Sequence, residues 1–410
     1  MRALGVLSAI NLLNYLDRYL VPPLVPDLER AMGLSHQQAG WLWPAFMVVY
    51  MLTAPLFGAW GDRGSRTRPL ALGVFIWSLA TALSGLARSF PQLSAARALV
   101  GVGEAAYAAI APALLADCFP LAARGRVFAV LNMALPVGAA LGYVLGGQIG
   151  QHFGWRAAFF VCGAPGMLLA IAMLWLPDPP RGVQEAIPGA APPLCAPAAG
   201  RQGALGVYLS LLRSGPYRLP VLGFAAYTFA LGGLGFWMPT FLERVRGVPP
   251  REATTGFGAI VVVTGFVGTL IGGWLGDYCL KRSPRGYLWF SGAVTLAAAP
   301  LALVALTTAA PPLYYPALVL AEVLLFMSTG PVNAAIANSV SPLERASAMA
   351  LCVFAIHLLG DVPSPPIIGY LADVGTLAWA VLIVPVGIAI AGIVWLVCAR
   401  PERAPLPTHG

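Results

Sequence analysis

Stretches of about 20 apolar residues recur along the whole chain, and that recurrence leaves few folds open. A helix of this length rises about 30 Å, the thickness of a bilayer's hydrocarbon core, and hydrocarbon admits only segments that satisfy their own backbone hydrogen bonds. Twelve stretches can be delimited, roughly 3–26, 37–60, 69–88, 91–117, 124–150, 155–177, 215–242, 252–279, 286–308, 312–340, 343–371 and 375–399. The one long interruption, Pro179 to Arg213, has a Pro-, Ala- and Gly-rich body (Pro188-Gly189-Ala190-Ala191-Pro192-Pro193) of linker composition. Its tail, Leu205 to Leu212, reads as a short helix lying on the membrane surface. The expectation is an all-α membrane protein with twelve transmembrane helices in two six-helix bundles. Residues 1–178 form the first bundle, 179–213 a cytoplasmic linker, 214–400 the second bundle and 401–410 a cytoplasmic tail.

Charge agrees with this layout. Only 10% of the residues are charged, against about 25% in soluble domains. The net charge of +8 does not point to nucleic acid, because the basic residues are scattered between apolar runs. With the N-terminus inside, sixteen of them fall in cytoplasmic segments and six on the opposite side, leaving Arg18 and Arg97 in the membrane. The positive-inside rule then places both termini in the cytoplasm, in a multi-pass protein of the cell inner membrane. Met1-Arg2 before an apolar run resembles a signal peptide, but the run is long and carries Asp17 and Arg18, so it reads as a retained span. The six cysteines form no CxxC pair or cluster; neither a disulfide framework, a metal site nor a cofactor follows.

The two halves repeat each other. Leu28-Glu29-Arg30-Ala31-Met32-Gly33 after the first span returns as Leu242-Glu243-Arg244-Val245-Arg246-Gly247 after the seventh. Gly58-Ala59-Trp60-Gly61-Asp62 returns as Gly273-Trp274-Leu275-Gly276-Asp277. One six-helix unit thus occurs twice in the same orientation, as in transporters built from parallel repeats.

Against this background the charges inside the spans stand out, since an ionised side chain at mid-membrane costs about 2.5–3.5 kcal/mol on insertion scales. Asp17 and Arg18 are adjacent, so they point about 100° apart around a helix and each needs its own partner. Arg97 and Glu104 in the fourth span lie two turns apart on one face, at a depth similar to that of Asp17 and Arg18. The four charges form either a structural lock between helices or a proton- and substrate-handling site. At an offset of 215 from Asp17 the second half has Gly232, so the pair is not part of the repeated scaffold. Glu322 in the tenth span, with His357 and Asp361 four apart in the eleventh, reads as a secondary polar site, either structural at a kink or coupled to transport. The Gly138, Gly142, Gly146 and Gly147 stripe of the fifth span suits close packing and gating equally well. Gly58, Asp62, Arg63 and Arg66, with the second copy at Asp277, read as a conformational latch. The start of the eleventh helix, Ser341-Pro342-Leu343-Glu344, would be the partner of Asp62.

The loop after the second span resembles the loop 2–3 motif of the major facilitator superfamily, with Ser65 and Thr67 departing from it. Asn14-Tyr15-Leu16-Asp17-Arg18-Tyr19, Arg97 to Tyr107, Ala111 to Asp117, Pro136 to Tyr143 and Pro179-Pro180-Arg181-Gly182 together resemble the Spinster branch of that superfamily. The resemblance implies the superfamily's fold and alternating-access movement of lysophospholipid, sphingosine-1-phosphate or a related amphiphilic lipid, coupled to protons. It implies protonation at Asp17 and Glu104. Arg18 and Arg97, with Tyr15, Tyr19 and Tyr107, would be charge partners or substrate contacts, in a monomer surrounded by membrane lipids. A transporter of small organic anions such as sugar acids is the alternative, since that neighbouring family is similar around the same two motifs. The chain has no HExxH, GxSxG or P-loop, so it is not expected to be an enzyme.

Overall fold

The computed structural model describes residues 2–63, 65–119, 127, 130–131, 134–180, 204–340 and 345–399. Among these, all regular structure is helical, and nine segments are long and apolar enough to cross a membrane. The expected first, second and fifth spans are helical as well, so the twelve-helix arrangement holds.

The N-terminal half contains α1 (Arg2–Arg18), α2 (Val25–Met32), α3 (His36–Arg63), α4 (Thr67–Ser84), α5 (Phe90–Cys118), α6 (Ala134–Phe153) and α7 (Trp155–Leu174). The first span is not the continuous helix expected over 3–26. α1 stops at Arg18, a 3-10 turn covers Pro22–Leu24, and α2 restarts the helix. Pro22 and Pro23 supply the reason: neither has an N–H for the Arg18 or Tyr19 carbonyl, and each ring crowds the carbonyl four residues back, whereas Pro26 sits in the first turn of α2, where no N–H is needed. After α8 (Ala204–Arg213), the helix expected in the linker's tail, come α9 (Gly215–Arg244), α10 (Pro250–Arg282), α11 (Gly286–Thr307) and α12 (Pro311–Asn338). The eleventh span begins as α13 (Arg345–Ile356), widens into a π-helical stretch at His357–Asp361, and resumes past Pro363 as α14 (Ser364–Val374). Widening frees carbonyls from the usual ladder, and the Ile356 carbonyl accepts from the Thr228 hydroxyl at 3.0 Å. The twelfth span breaks between α15 (Leu377–Ala380) and α16 (Ile383–Cys398).

These helices pack as two compact units. The first holds α1–α7 with residues 232–263 and 362–381; the second holds α8 and the rest of α9–α13 and α16. In the first unit Gly138 and Gly142 of the α6 glycine stripe lie on α1. An added Cβ at Gly142 would stand 2.5 Å from the Leu16 carbonyl oxygen, and one at Gly138 would stand 2.7 Å from that of Leu12. These glycines therefore fix how α1, and the charges on it, are turned. The internal repeat is visible in the backbone too. Gly33 (φ 64°) and Gly247 (φ 66°) end the two copies of the Leu-Glu-Arg segment in the same left-handed conformation, which glycine adopts without a Cβ clash.

Candidate functional site: crossed ion pairs in the first unit

Asp17, Arg18, Arg97 and Glu104 come together in the first unit, and their pairing is crossed. Arg18 donates through Nε to Glu104 Oε2 at 2.7 Å. Asp17 is served instead by Arg97, whose Nη1 stands 3.6 Å from Oδ1 and whose Nη2 reaches the Asp17 backbone carbonyl at 3.4 Å. The Thr81 hydroxyl on α4 donates to Asp17 Oδ2. Neighbours on one helix diverge by about 100°, so α1 sends its acid and its base to different points of α5.

The two pairs differ in exposure. Both side chains of the Asp17–Arg97 pair are at most 4% exposed. Glu104 is fully buried, while its partner Arg18 is 13% exposed. Arg18 is also boxed by rings: its guanidinium carbon lies 5.3 Å from the Tyr15 centroid, 5.3 Å from Phe46 and 4.9 Å from Tyr50. The Phe46 ring also faces Arg97 at 5.7 Å, so one phenyl group serves both cations. Glu104 Oε1, Asp17 Oδ1, Arg97 Nε and Nη1 and Asn14 Nδ2 are buried with hydrogen-bonding capacity left over. A cluster with that much unused capacity can exchange partners without first exposing itself to lipid.

The expected tyrosines take different positions. Tyr15 faces Arg18. Tyr19 packs between Trp43 and Tyr143 at 6.2 and 5.5 Å. The Tyr107 hydroxyl donates to the Leu7 carbonyl at 2.8 Å, and its ring lies edge-on to Trp77; it ties α5 to α1 rather than facing the charges. Sequence reasoning missed Thr81 and Tyr50. A signal for Thr81 exists in the run Ser78, Thr81, Ser84, three buried hydroxyls at helical spacing on an otherwise apolar span.

Of the expected latch, Gly58, Asp62 and Arg63, and the partner segment 341–344, lie outside the described residues and side chains. Arg66 binds Asp117 through Nη1, Asp178 through Nε at 2.9 Å and the Pro179 carbonyl through Nη2 at 2.5 Å. Its backbone N–H adds a bond to Asp178 at 2.7 Å. Burial alone would raise the Asp178 carboxyl; the bonds and charge of Arg66 outweigh it and hold the group below the usual carboxylate range. Asp277 accepts from the Tyr287 hydroxyl at 2.7 Å. In the second unit Glu322 is buried and accepts from Thr264 at 2.9 Å. His357 pairs with Asp361 at 3.0 Å across the π-helical stretch.

Residues 7–362 match the family model described as Major Facilitator Superfamily. The chain is 31% identical to the Sphingosine-1-phosphate transporter SPNS2 of Xenopus tropicalis over 388 residues, 90% of this chain and 73% of that one. It is 35% identical to Protein spinster homolog 1 of Bos taurus over 389 residues, 90% of this chain and 72% of the relative. A crystal structure of a bacterial homolog to the human lysosomal transporter Spinster, in an inward-facing and unoccupied conformation, superposes with a TM-score of 0.85 at 25% identity. That match covers 97% of this chain and 96% of the other. The chain belongs to the Spinster family of the Major Facilitator Superfamily, a family of multi-pass membrane transporters.

Proposed function

We propose that this chain is a proton-coupled secondary transporter of a lysophospholipid, a sphingosine-1-phosphate-like molecule or a related amphiphilic lipid, working by alternating access as a monomer with both termini in the cytoplasm. The observation that carries the reading is the Arg18–Glu104 pair: a buried carboxylate holding an arginine that is partly open and boxed by Tyr15, Phe46 and Tyr50. The aromatic walls accept an alkyl chain, and the guanidinium accepts an anionic headgroup.

Protonating Glu104 removes the charge that holds Arg18. The guanidinium then turns to the headgroup, and the cavity gains one positive charge as the substrate brings a negative one. Asp17, tied to Arg97 and Thr81, is the second carboxylate that binds the driving proton. Arg66, bound to Asp117 and Asp178, belongs to the latch that ties the loop after the second span to the end of the sixth. Glu322, the buried acid of the second unit, is a third titratable position.

Proteoliposomes with an imposed pH gradient test this, with uptake of labelled lysophospholipid and sphingosine-1-phosphate as the readout. Gradient-driven uptake by the parent, abolished in D17N and E104Q, is the expected result. Full gradient-driven uptake by both variants overturns the coupling assignment. Stabilisation and uptake of hexonates alone overturns the lipid assignment in favour of small organic anions.

A further inference from the structure

Glu29 is another buried carboxylate of the first unit, and the mechanism above gives it no part. It sits on α2, at the end of the unit far from the N-terminus. One oxygen meets His36 Nδ1 at 2.6 Å and the other meets Arg244 Nη1 at 2.6 Å. Its side chain is 6% exposed, and that of Arg244 is 30% exposed. One carboxylate therefore joins α2 to the start of α3 and to the end of α9.

The pairing has a symmetry that the repeat explains. Glu29-Arg30 of the first Leu-Glu-Arg segment faces Glu243-Arg244 of the second, so that Glu29 binds Arg244 and Arg30 lies 4.0 Å from Glu243. Each acid meets the other copy's base, as in the contact of two identical surfaces about a twofold axis. Leu28 and Leu242, at matching positions, are both buried. The two arms differ in strength, because Arg30 is largely exposed and turns to Asp27 at 2.6 Å.

Neighbouring contacts close the same end. Asp373 on α14 accepts from the backbone N–H groups of His36 and Gln37 at 2.8 and 2.9 Å, capping α3. Trp237 packs edge-on to His36 at 5.6 Å and donates to the Pro365 carbonyl at 2.9 Å. An added Cβ at Gly40 would stand 2.5 Å from that same carbonyl oxygen. First, second, seventh and eleventh spans therefore meet here through polar contacts.

We infer that the two Leu-Glu-Arg copies form a reciprocal ionic clasp that holds this end shut, and that opening the end requires Glu29 to release Arg244 and His36. The claim that this end is the external one, and that it opens during transport, rests on the proposed function; the clasp itself rests on the contacts above. Apolar packing alone would leave the end with no ready exchange of partners. Here the partly exposed Arg244 and the largely exposed Arg30 rehydrate as soon as they part, which makes the closure reversible.

Ala39, one turn into α3 and fully buried, supplies a reporter. A39C is made in the full chain in cells, and its modification by a membrane-impermeant maleimide is timed against the parent without A39C. E29Q and R244Q are each expected to speed modification about tenfold, the scale for stripping a buried hydrogen-bonded charge of its partner. The swap E29R/R244E is expected to return it towards the starting rate, and R30Q, on the weak arm, to change it less than E29Q does. A39C as protected in both E29Q and R244Q as in the starting protein, with both variants folded by thermal unfolding, overturns the clasp. So does equal acceleration by T81V, which weakens the unit elsewhere. Faster modification in E29Q and R244Q supports the clasp even where no lipid is moved by the parent, a result that would count against the proposed function alone.

Discussion

The crossed pairs carry a prediction that simple Coulomb arithmetic gets backwards. At an effective dielectric near 20, two unit charges 2.7 Å apart attract by about 6.1 kcal/mol, and at 3.6 Å by about 4.6 kcal/mol. On that count E104Q costs more than D17N. Relaxation reverses the order. When Glu104 loses its charge, Arg18 is 13% exposed and keeps three aromatic faces beside it, so the cost falls between the surface and buried cases, about 1–3 kcal/mol. When Asp17 loses its charge, Arg97 is 2% exposed with one ring beside it, and the full cost of about 3–5 kcal/mol for a stranded buried charge remains. At an unfolding entropy of about 2.1 cal/mol/K per residue over this length, 1 kcal/mol lowers Tm by about 1.2 °C. D17N is then expected to lose about 4–6 °C and E104Q about 1–4 °C, measured by tryptophan fluorescence during thermal unfolding in detergent. R97Q added to D17N removes the stranded cation and is expected to recover part of the loss. An E104Q protein as unstable as D17N, or a double variant no better than D17N, refutes the reasoning that the exposure of the stranded cation, rather than the distance in the pair, sets the cost.

Four further outcomes follow from the packing and the caps. T81V removes the hydroxyl that serves Asp17 and is expected to cost about 1–3 kcal/mol in the same assay, with less effect in a D17N background. G142L drives a side chain into the Leu16 carbonyl of α1 and is expected to cost about 1–3 kcal/mol or more and to lower transport by turning Asp17 and Arg18 away from α5. G33A and G247A, at equivalent left-handed caps, are each expected to cost about 1 kcal/mol, and a markedly unequal cost argues against structural equivalence of the two copies. Asp178 is held below its ordinary range when folded, so its contribution is present above the unfolded value near pH 4 and is lost as pH falls through the folded value. D178N is therefore expected to be less stable than the parent at pH 7 and to lose that difference in acid, read from Tm against pH.

How far the sequence speaks depends on how local each feature is. The spans are legible because length and apolarity are properties of one segment, and the break after Arg18 is written in Pro22 and Pro23, although a window of hydropathy passes over them. The repeat is legible as two copies of one string, and the matching backbone at Gly33 and Gly247 follows from it. Partners are another matter. Adjacent residues on α1 and residues two turns apart on α5 are compatible with either pairing of Asp17 and Arg18 with Arg97 and Glu104. The choice depends on how α1 is rotated, which is decided by Gly138 and Gly142 of α6 more than a hundred residues downstream. Thr81 and Tyr50 escape notice for the same reason, since each gains a role only through a side chain on another helix.

The repeat also explains why the clasp and the charged site need different treatment. A motif present in both copies, such as Leu-Glu-Arg, is able to meet itself, so its acid and base find reciprocal partners from symmetry alone. A motif present in one copy has no such counterpart: opposite Asp17-Arg18 the second copy offers Gly232. Its charges must be answered within the same half, and α5 answers them with Arg97 and Glu104. The Leu-Glu-Arg residues thus meet across the two copies, and Asp17-Arg18 lies where chemistry distinguishes the halves. Charge reversal separates the two classes. E29R/R244E exchanges a reciprocal pair whose two arms already run in opposite senses, and is expected to preserve closure. R18E/E104R exchanges a pair whose guanidinium is boxed by Tyr15, Phe46 and Tyr50, and places a carboxylate against those negative ring faces instead. That swap is expected to fold less stably than the parent and to move no anionic lipid, and full activity in R18E/E104R would show that the aromatic box has no preference for the arginine it surrounds.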